Sequence, residues 1–258
     1  MAAALDGFAP SRGRDPVATL TLENTSFDDE TLIVCVPSGS FCVGRSDQVT
    51  TLMARVARAA RVNACIVDYR LAPENPCPAA VDDVEGVVLD LIRRGMQAER
   101  IAVVAVSAGA AIGLSAVMRL RDRGVHLSSV SLLSPWTDLA LTGLSTATRP
   151  LTNRSAMPME VASLCAHLYL QDVSPFDPVA SPMYGDLSGL PAMLVHTSKA
   201  DALHDDARRL AQRAFEAGTD VTMRVWQHQD HAFEIRFDAA ADRAIAEVGR
   251  FIRGKLER

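Results

Sequence analysis

The chain predicts an α/β protein built on a mostly parallel central sheet with helices on both faces. Three observations carry that expectation. Short apolar, β-branched runs alternate with longer amphipathic stretches through most of the 258 residues, the rhythm of strand–helix crossover units. The runs are nearly continuous in hydrophobicity, as in strands covered on both sides. Hydrophobic residues make up 48% of the chain and charged residues 22%, enough apolar material for one large core in a single domain.

Taken in order, Ala18 to Leu22 has weak strand character within the polar residues 1–30. Leu32 to Val36 is the first strong strand, followed by the helical pattern Gln48 to Ala60. Strand Ala64 to Asp68 and helix Val81 to Arg94 come next, then strand Ile101 to Val106 and helix Ala108 to Arg121. Val130 to Leu133, Met193 to Thr197 and Val221 to Trp226 are further strands, with helices Asp205 to Ala217 and Ala239 to Leu256. Right-handed crossovers place the C-terminal ends of parallel strands along one edge, where open α/β sheets bind their ligands. Residues 142–190 break the rhythm; they are rich in Pro, Ser and Met, with one helical stretch near Met159 to Leu170. An insertion after a strand's C-terminal end lies over that edge. Residues 1–30 and about 140–190 are therefore expected to form a reduced cap or lid on a single domain spanning 1–258.

Charge and cysteine content narrow the classes of function. The formal net charge is −5, from 26 basic and 31 acidic side chains, with no basic block, so no nucleic-acid partner is expected. The opening lacks the apolar core of a secretory signal, and no run of about 18 apolar residues could span a membrane. Five cysteines, an odd number without a CxxC pair, indicate neither a disulfide framework nor a zinc site. A reducing cytoplasm is the natural compartment.

The chemistry concentrates at strand ends. Ala105-Val106-Ser107-Ala108-Gly109 joins the strand Ile101 to Val106 to a helix. A serine on a sharp strand–helix turn is a nucleophile elbow, with Ala105 where the G-x-S-x-G pattern has its first glycine. The turn crowds the residues two before and two after the serine, so only small ones fit. It also aims the Ala108 N–H outward at a helix N-terminus, where an oxyanion would be stabilised. On this pentapeptide alone, Ser107 as a helix cap is an equal reading. A serine nucleophile needs a base and an acid to orient it, in the chain order Ser, Asp or Glu, His for this architecture. Asp201 follows the strand Met193 to Thr197 and His231 follows the strand ending at Trp226, in the required order. Asp205 and Asp206 also precede a helix and could be caps or dipole partners. His228 competes with His231. His126, His167, His196 and His204 lack spaced partners.

One segment is more specific than any of these. Asp68-Tyr69-Arg70-Leu71-Ala72-Pro73-Glu74-Asn75-Pro76, followed by Cys77-Pro78-Ala79-Ala80, resembles the hormone-sensitive-lipase family of carboxylesterases, particularly its bacterial members. Ser134-Pro135-Trp136-Thr137-Asp138-Leu139, Asp177-Pro178, Ala180-Ser181-Pro182 and Leu190-Pro191 extend the resemblance, which runs from about Thr31 to Phe233. It implies an α/β-hydrolase fold and a cofactor-free serine esterase acting on small to medium acyl esters. Ser107 aligns with its nucleophile, Asp201 with its acid and, through His231-Ala232-Phe233, His231 with its base. The family's Asp-Arg-Glu positions, here Asp68, Arg70 and Glu74, imply an ion-pair lattice under the active-site loops.

Three departures stand out. The family's HGGG oxyanion loop reads Pro37-Ser38-Gly39-Ser40 here. Gly39, Ser40 and Ala108 are the remaining oxyanion donors, with poorer presentation expected at Ser40 because serine resists positive φ; Pro37 cannot donate. Val106 replaces an acidic residue beside the nucleophile. The segment before the oxyanion loop is short, leaving the pocket more open or completed by a partner chain, as in a homodimer. The altered loop also admits a second reading, a repurposed member catalysing elimination, cyclisation or acyl transfer on a specialised metabolite. A non-catalytic binding protein would have no reason to keep all three of Ser107, Asp201 and His231.

Overall fold

A computed structural model of the chain describes residues 5–13, 17–148 and 159–257. Among them the strands are β1 (Ala9–Gly13), β2 (Thr19–Glu23), β3 (Asp28–Val36), β4 (Val62–Val67), β5 (Ile101–Val106), β6 (Ser129–Leu133), β7 (Ala192–Ser198) and β8 (Val221–Trp226). They join in one sheet in the order β1-β2-β4-β3-β5-β6-β7-β8. β1 pairs β2 and β2 pairs β4 antiparallel. All other neighbours are parallel.

The helices are α1 (Asp47–Ala60), α2 (Ala79–Arg93), α3 (Gly109–Asp122), α4 (Leu144–Thr148), α5 (Met159–Leu170), α6 (His204–Glu216) and α7 (Ala239–Leu256). The pleat sends alternate side chains to opposite faces, and both faces are covered. Val34 and Val36 of β3, with Val103 and Ala105 of β5, enter the core lined by α2, α3 and α6. Ile33, Cys35, Ala102 and Val104 enter the core lined by α1 and α7. The terminal turns explain why these helices start where they do. Ser46 caps α1 by accepting from the Val49 N–H, and Asp238 caps α7 by accepting from Ala240 and Ala241. Gly249 lets α7 approach α1 closely, since a Cβ there would lie 2.5 Å from the Ala59 carbonyl carbon. No helix among the described residues is long and apolar enough to cross a membrane.

Every strand and helix expected from the sequence is present, and β1 and α4 are additional. The described part of residues 1–30, expected to contribute to a cap, carries β1 and β2. β1 and β2 form the sheet's outer edge and line no part of the pocket described below. Leu20 and Leu22 are buried in the α1–α7 core, and the β2 backbone pairs with β4, so this segment is held at the sheet edge. The insertion at 140–190 contributes α4, α5 and a 3₁₀ turn at Pro182–Tyr184. Residues 149–158 of that stretch lie outside the described residues.

Candidate active site

Ser107 leaves β5 with φ +54°, a left-handed conformation that serine adopts only under constraint. Its N–H donates to the Leu133 carbonyl at 3.0 Å, and its carbonyl accepts from Trp136 N–H at 3.1 Å and Ala110 N–H at 2.9 Å. Small neighbours make room for the turn. A Cβ on Gly109 would lie 2.4 Å from the Pro37 carbonyl oxygen. Ala105 keeps its methyl because Gly113 lies opposite; a Cβ there would meet the Ala105 Cβ at 3.2 Å. The helix-cap reading of Ser107 fails, because the cap position of α3 is Ala108 and no side chain caps it.

The Ser107 hydroxyl lies 2.9 Å from His231 Nε2, and His231 Nδ1 lies 2.9 Å from Asp201 Oδ2. The structure thus brings together the three residues singled out at the ends of β5, β7 and β8. Asp201 is buried and receives the Leu203 N–H at 3.0 Å. Burial raises its carboxyl, but the His231 imidazole, Leu203 N–H and Ser134 hydroxyl outweigh it, holding Asp201 below the usual carboxylate range. Burial works against an imidazolium at His231, while Asp201 and then Glu234 favour it and leave its pKa above the ordinary imidazole value. His228 is exposed, with φ +54°.

Ser134 is the positioning group that sequence reasoning missed. At the C-terminal end of β6, its Oγ accepts the Ala232 N–H at 3.0 Å while its hydroxyl supports Asp201. It therefore ties the histidine loop to the acid. Its place at the sheet's C-terminal edge was the available signal.

The oxyanion-loop candidates sit beside Ser107. Gly39 has φ +155°, and a Cβ there would fall 1.9 Å from the Val43 carbonyl oxygen. Ser40 and Phe41 follow at φ +48° and +66°, so serine does enter the left-handed region here. The loop is pinned at both ends. Tyr69 donates to the Pro37 carbonyl at 3.0 Å, and Cys42 and Val43 N–H groups donate to the Gly39 carbonyl at 3.1 and 2.8 Å. Buried Phe41 stacks on Tyr169 at 4.2 Å and tilts against Trp136 at 5.3 Å. That aromatic contact offsets the strain of a bulky residue at positive φ. A cavity of about 290 Å³ opens over Ser107 between this loop, His231 and the apolar side chains Val43, Val49, Leu141, Leu203 and Ile235, with Ala162 of α5 on its wall.

The acids that competed with Asp201 have other partners. Asp205 accepts the Ser145 N–H at 2.8 Å. Asp206 accepts the Thr137 and Asp138 N–H groups at 2.7 and 2.9 Å and pairs with the Thr137 hydroxyl. The expected Asp68–Arg70–Glu74 lattice is divided. Asp68 pairs Arg45 at 2.7 Å, Arg70 pairs Asp83 at 2.8 Å, and Glu74 is exposed.

Burial pushes the Asp206 carboxyl up to about 7, despite its hydrogen bonds with Thr137. In the unfolded chain an aspartate releases its proton near pH 4. The native state therefore binds this proton more tightly between those values, and the stability it contributes is lost as pH rises toward 7. Denaturant unfolding at pH 5 and pH 8 should show a wild-type loss on the order of 1–3 kcal/mol from this group. Asp206→Asn, which offers the same acceptor and a donor to Thr137, should show a smaller loss. Identical losses in both proteins would remove Asp206 as the source.

Comparison with known proteins agrees with this fold. A family profile described as alpha/beta hydrolase fold matches residues 33–235. The acetyl-hydrolase of Streptomyces hygroscopicus is 35% identical over 231 residues, covering 88% of this chain and 76% of its own. An esterase of Acinetobacter venetianus is 31% identical over 227 residues, covering 85% and 74%. The crystal structure of an esterase from the bacterial hormone-sensitive lipase family superposes with a TM-score of 0.91 at 33% identity, covering 97% of this chain and 86% of that one. The chain belongs to the α/β-hydrolase-fold family, alongside the bacterial hormone-sensitive-lipase-like esterases.

Proposed function

We propose that the protein hydrolyses carboxylic esters of small to medium acyl groups through an acyl-enzyme on Ser107. The observation that carries this reading is the continuous contact from Ser107 Oγ through His231 to Asp201, at 2.9 Å in each step, under an apolar cavity. Ser107 Oγ attacks the carbonyl carbon as His231 Nε2 takes its proton, and the carbonyl electron pair moves onto oxygen. The N–H groups of Gly39, Ser40 and Ala108 receive that oxyanion; among the described residues none of the three donates elsewhere. Collapse expels the alcohol, which leaves with the His231 proton, and water repeats the sequence to release the acid. Asp201 holds the tautomer that keeps Nε2 free to accept.

The insertion at 140–190 acts in this reading as a reduced cap, since Leu141 and Ala162 line the cavity. A homodimer in the cytoplasm is the expected setting; Val43 at the cavity and Val161 and Leu164 on α5 are exposed and would be covered in such an assembly.

A fluorophosphonate probe and short-chain 4-nitrophenyl esters test the proposal together. Labelling at Ser107, with turnover that disappears in Ser107→Ala, is the expected result. Labelling without turnover on any ester would favour elimination, cyclisation or acyl transfer on a specialised substrate. Absence of both would refute a serine nucleophile.

A further inference from the structure

Leu141 lines the cavity over Ser107, and the same residue lines a second cavity of about 410 Å³. A residue that borders both lies between them. The second cavity is a groove between residues 139–141 and α5. Its lining is mostly apolar, with Leu139, Ala166, Leu170, Val173, Pro175 and the exposed ring of Phe176. No Asp, Glu, Lys or Arg lines it among the described residues, so a charged group would lose water there without gaining a counter-ion. Helix α5 joins the two spaces. Ala162 stands on the wall of the first, Ala166 and Leu170 on the wall of the second. Spaced by four residues, the three share one helix face, which rises about 12 Å from Ala162 to Leu170. The steps at Ser107 make no use of this groove.

The backbone holds Leu141 in place. Its φ is +54°, a conformation that a leucine rarely takes. Its N–H donates to the Asp138 carbonyl at 3.1 Å. The buried Asp138 carboxylate accepts the Ala140 N–H at 3.1 Å and the Thr142 N–H at 3.0 Å, one on each side of Leu141. It also accepts the Tyr184 hydroxyl at 2.9 Å and pairs with Arg209 at 3.0 Å. The turn is therefore wound around a carboxylate, and the half-buried leucine side chain is not what fixes it. A bulky side chain kept in a strained conformation at the junction of two cavities points to a constraint from function.

We propose that Leu141 is a specificity-determining residue, a partition that closes the apolar groove to the hydrocarbon chain of an ester and so limits the chain length the protein accepts. That role rests on the esterase reading, which places the ester carbonyl at Ser107. A short chain fits on the Ser107 side of the partition. A longer one meets the Leu141 side chain and has to leave its distal methylenes in water. With the side chain cut back, those methylenes pass along the α5 face from Ala162 toward Leu170 and are buried in the groove.

The test is hydrolysis of two ester series, 4-nitrophenyl esters of straight-chain acids from acetate to dodecanoate and acetates of straight-chain alcohols over the same lengths. The series that responds shows whether the acyl or the alkoxy chain faces Leu141. In Leu141→Ala the length of highest kcat/KM should move out by about two to four carbons in one series, with a gain of about 4-fold for each methylene newly buried. Leu141→Trp should move it inward. Ser163 is an exposed residue of the groove wall, and Ser163→Trp added to Leu141→Ala should reverse the gain. Ratios of long-chain to short-chain rates on one preparation do not depend on the fraction folded, so a poorly folding variant still reports. Profiles of Leu141→Ala and Leu141→Trp that superimpose on the wild type in both series would overturn the proposal. A gain in Leu141→Ala that Ser163→Trp leaves intact would do the same, since the chain would then run elsewhere. A wild type that fluorophosphonate labels at Ser107 but that turns over no ester would count against the esterase reading instead. The rates of labelling by octyl and ethyl phosphonofluoridates then decide on Leu141, their ratio rising about tenfold or more in Leu141→Ala if the partition is real. Absence of labelling and turnover together would remove both readings.

Discussion

His231→Asn is expected to lower kcat for a short-chain 4-nitrophenyl ester by about 10⁴-fold or more, with an unchanged fold. Asparagine is the informative replacement. Asp201 is buried, and an apolar residue at 231 would leave its Oδ2 without the His231 donor. The asparagine amide can still donate toward Asp201 from near the position of Nδ1, yet offers no base at the position of Nε2, 2.9 Å from the Ser107 hydroxyl. The loss should therefore appear in kcat more than in KM, because the proton transfer belongs to the transition state. Combining His231→Asn with Ser107→Ala should cost hardly more than either change alone, since the two side chains act as one unit. In the wild type the acid limb of kcat/KM should lie above the ordinary imidazole value of about 6.5, because Asp201 and Glu234 favour the imidazolium. Activity appears as pH rises through that raised value and His231 loses its proton. Near-wild-type kcat in the asparagine variant would mean that another group, or water alone, deprotonates Ser107.

Most of this fold was legible because its strands are buried on both faces. β4, β5 and β6 are buried along their whole lengths and read as unbroken apolar runs. β1 was not legible for the opposite reason. Ala9–Gly13 is exposed at every position and pairs only through its backbone with β2, so its side chains carry no period to read. β2 shows alternation in Leu20 and Leu22 alone, too little for more than weak strand character. Ser107, Asp201 and His231 were legible because each follows a strand at the same edge of the sheet, in the chain order this architecture requires. Ser134 was not. Its importance comes from what lies against it after folding, the Ala232 N–H and the Asp201 carboxylate. Ser40 takes positive φ against its local preference, and the stacked ring of the next residue, Phe41, anchors the loop in that conformation.

That loop yields the second large effect, at Gly39. Gly39→Ala should reduce kcat by about 10²–10³-fold, the cost of losing an oxyanion donor, while Ser107 and His231 stay in contact. An alanine Cβ would fall 1.9 Å from the Val43 carbonyl oxygen, far inside any tolerable contact, at a φ of +155° that side chains rarely adopt. The turn from 39 to 43 closes on the Gly39 carbonyl through the Cys42 and Val43 N–H groups, so relieving the clash means opening that turn. The N–H groups of Gly39 and Ser40 then move away from the place where negative charge develops. Ser40 is the internal control. Its φ of +48° lies where glycine is at ease, so Ser40→Gly keeps the N–H and relieves strain, and should leave kcat within a few-fold of wild type. If the Ser40 hydroxyl is itself a donor to the oxyanion, Ser40→Gly will instead lose rate on the scale of Gly39→Ala. A Gly39→Ala protein with wild-type kcat would show that the oxyanion is held elsewhere, and that the loop's backbone donors play no part in the reaction.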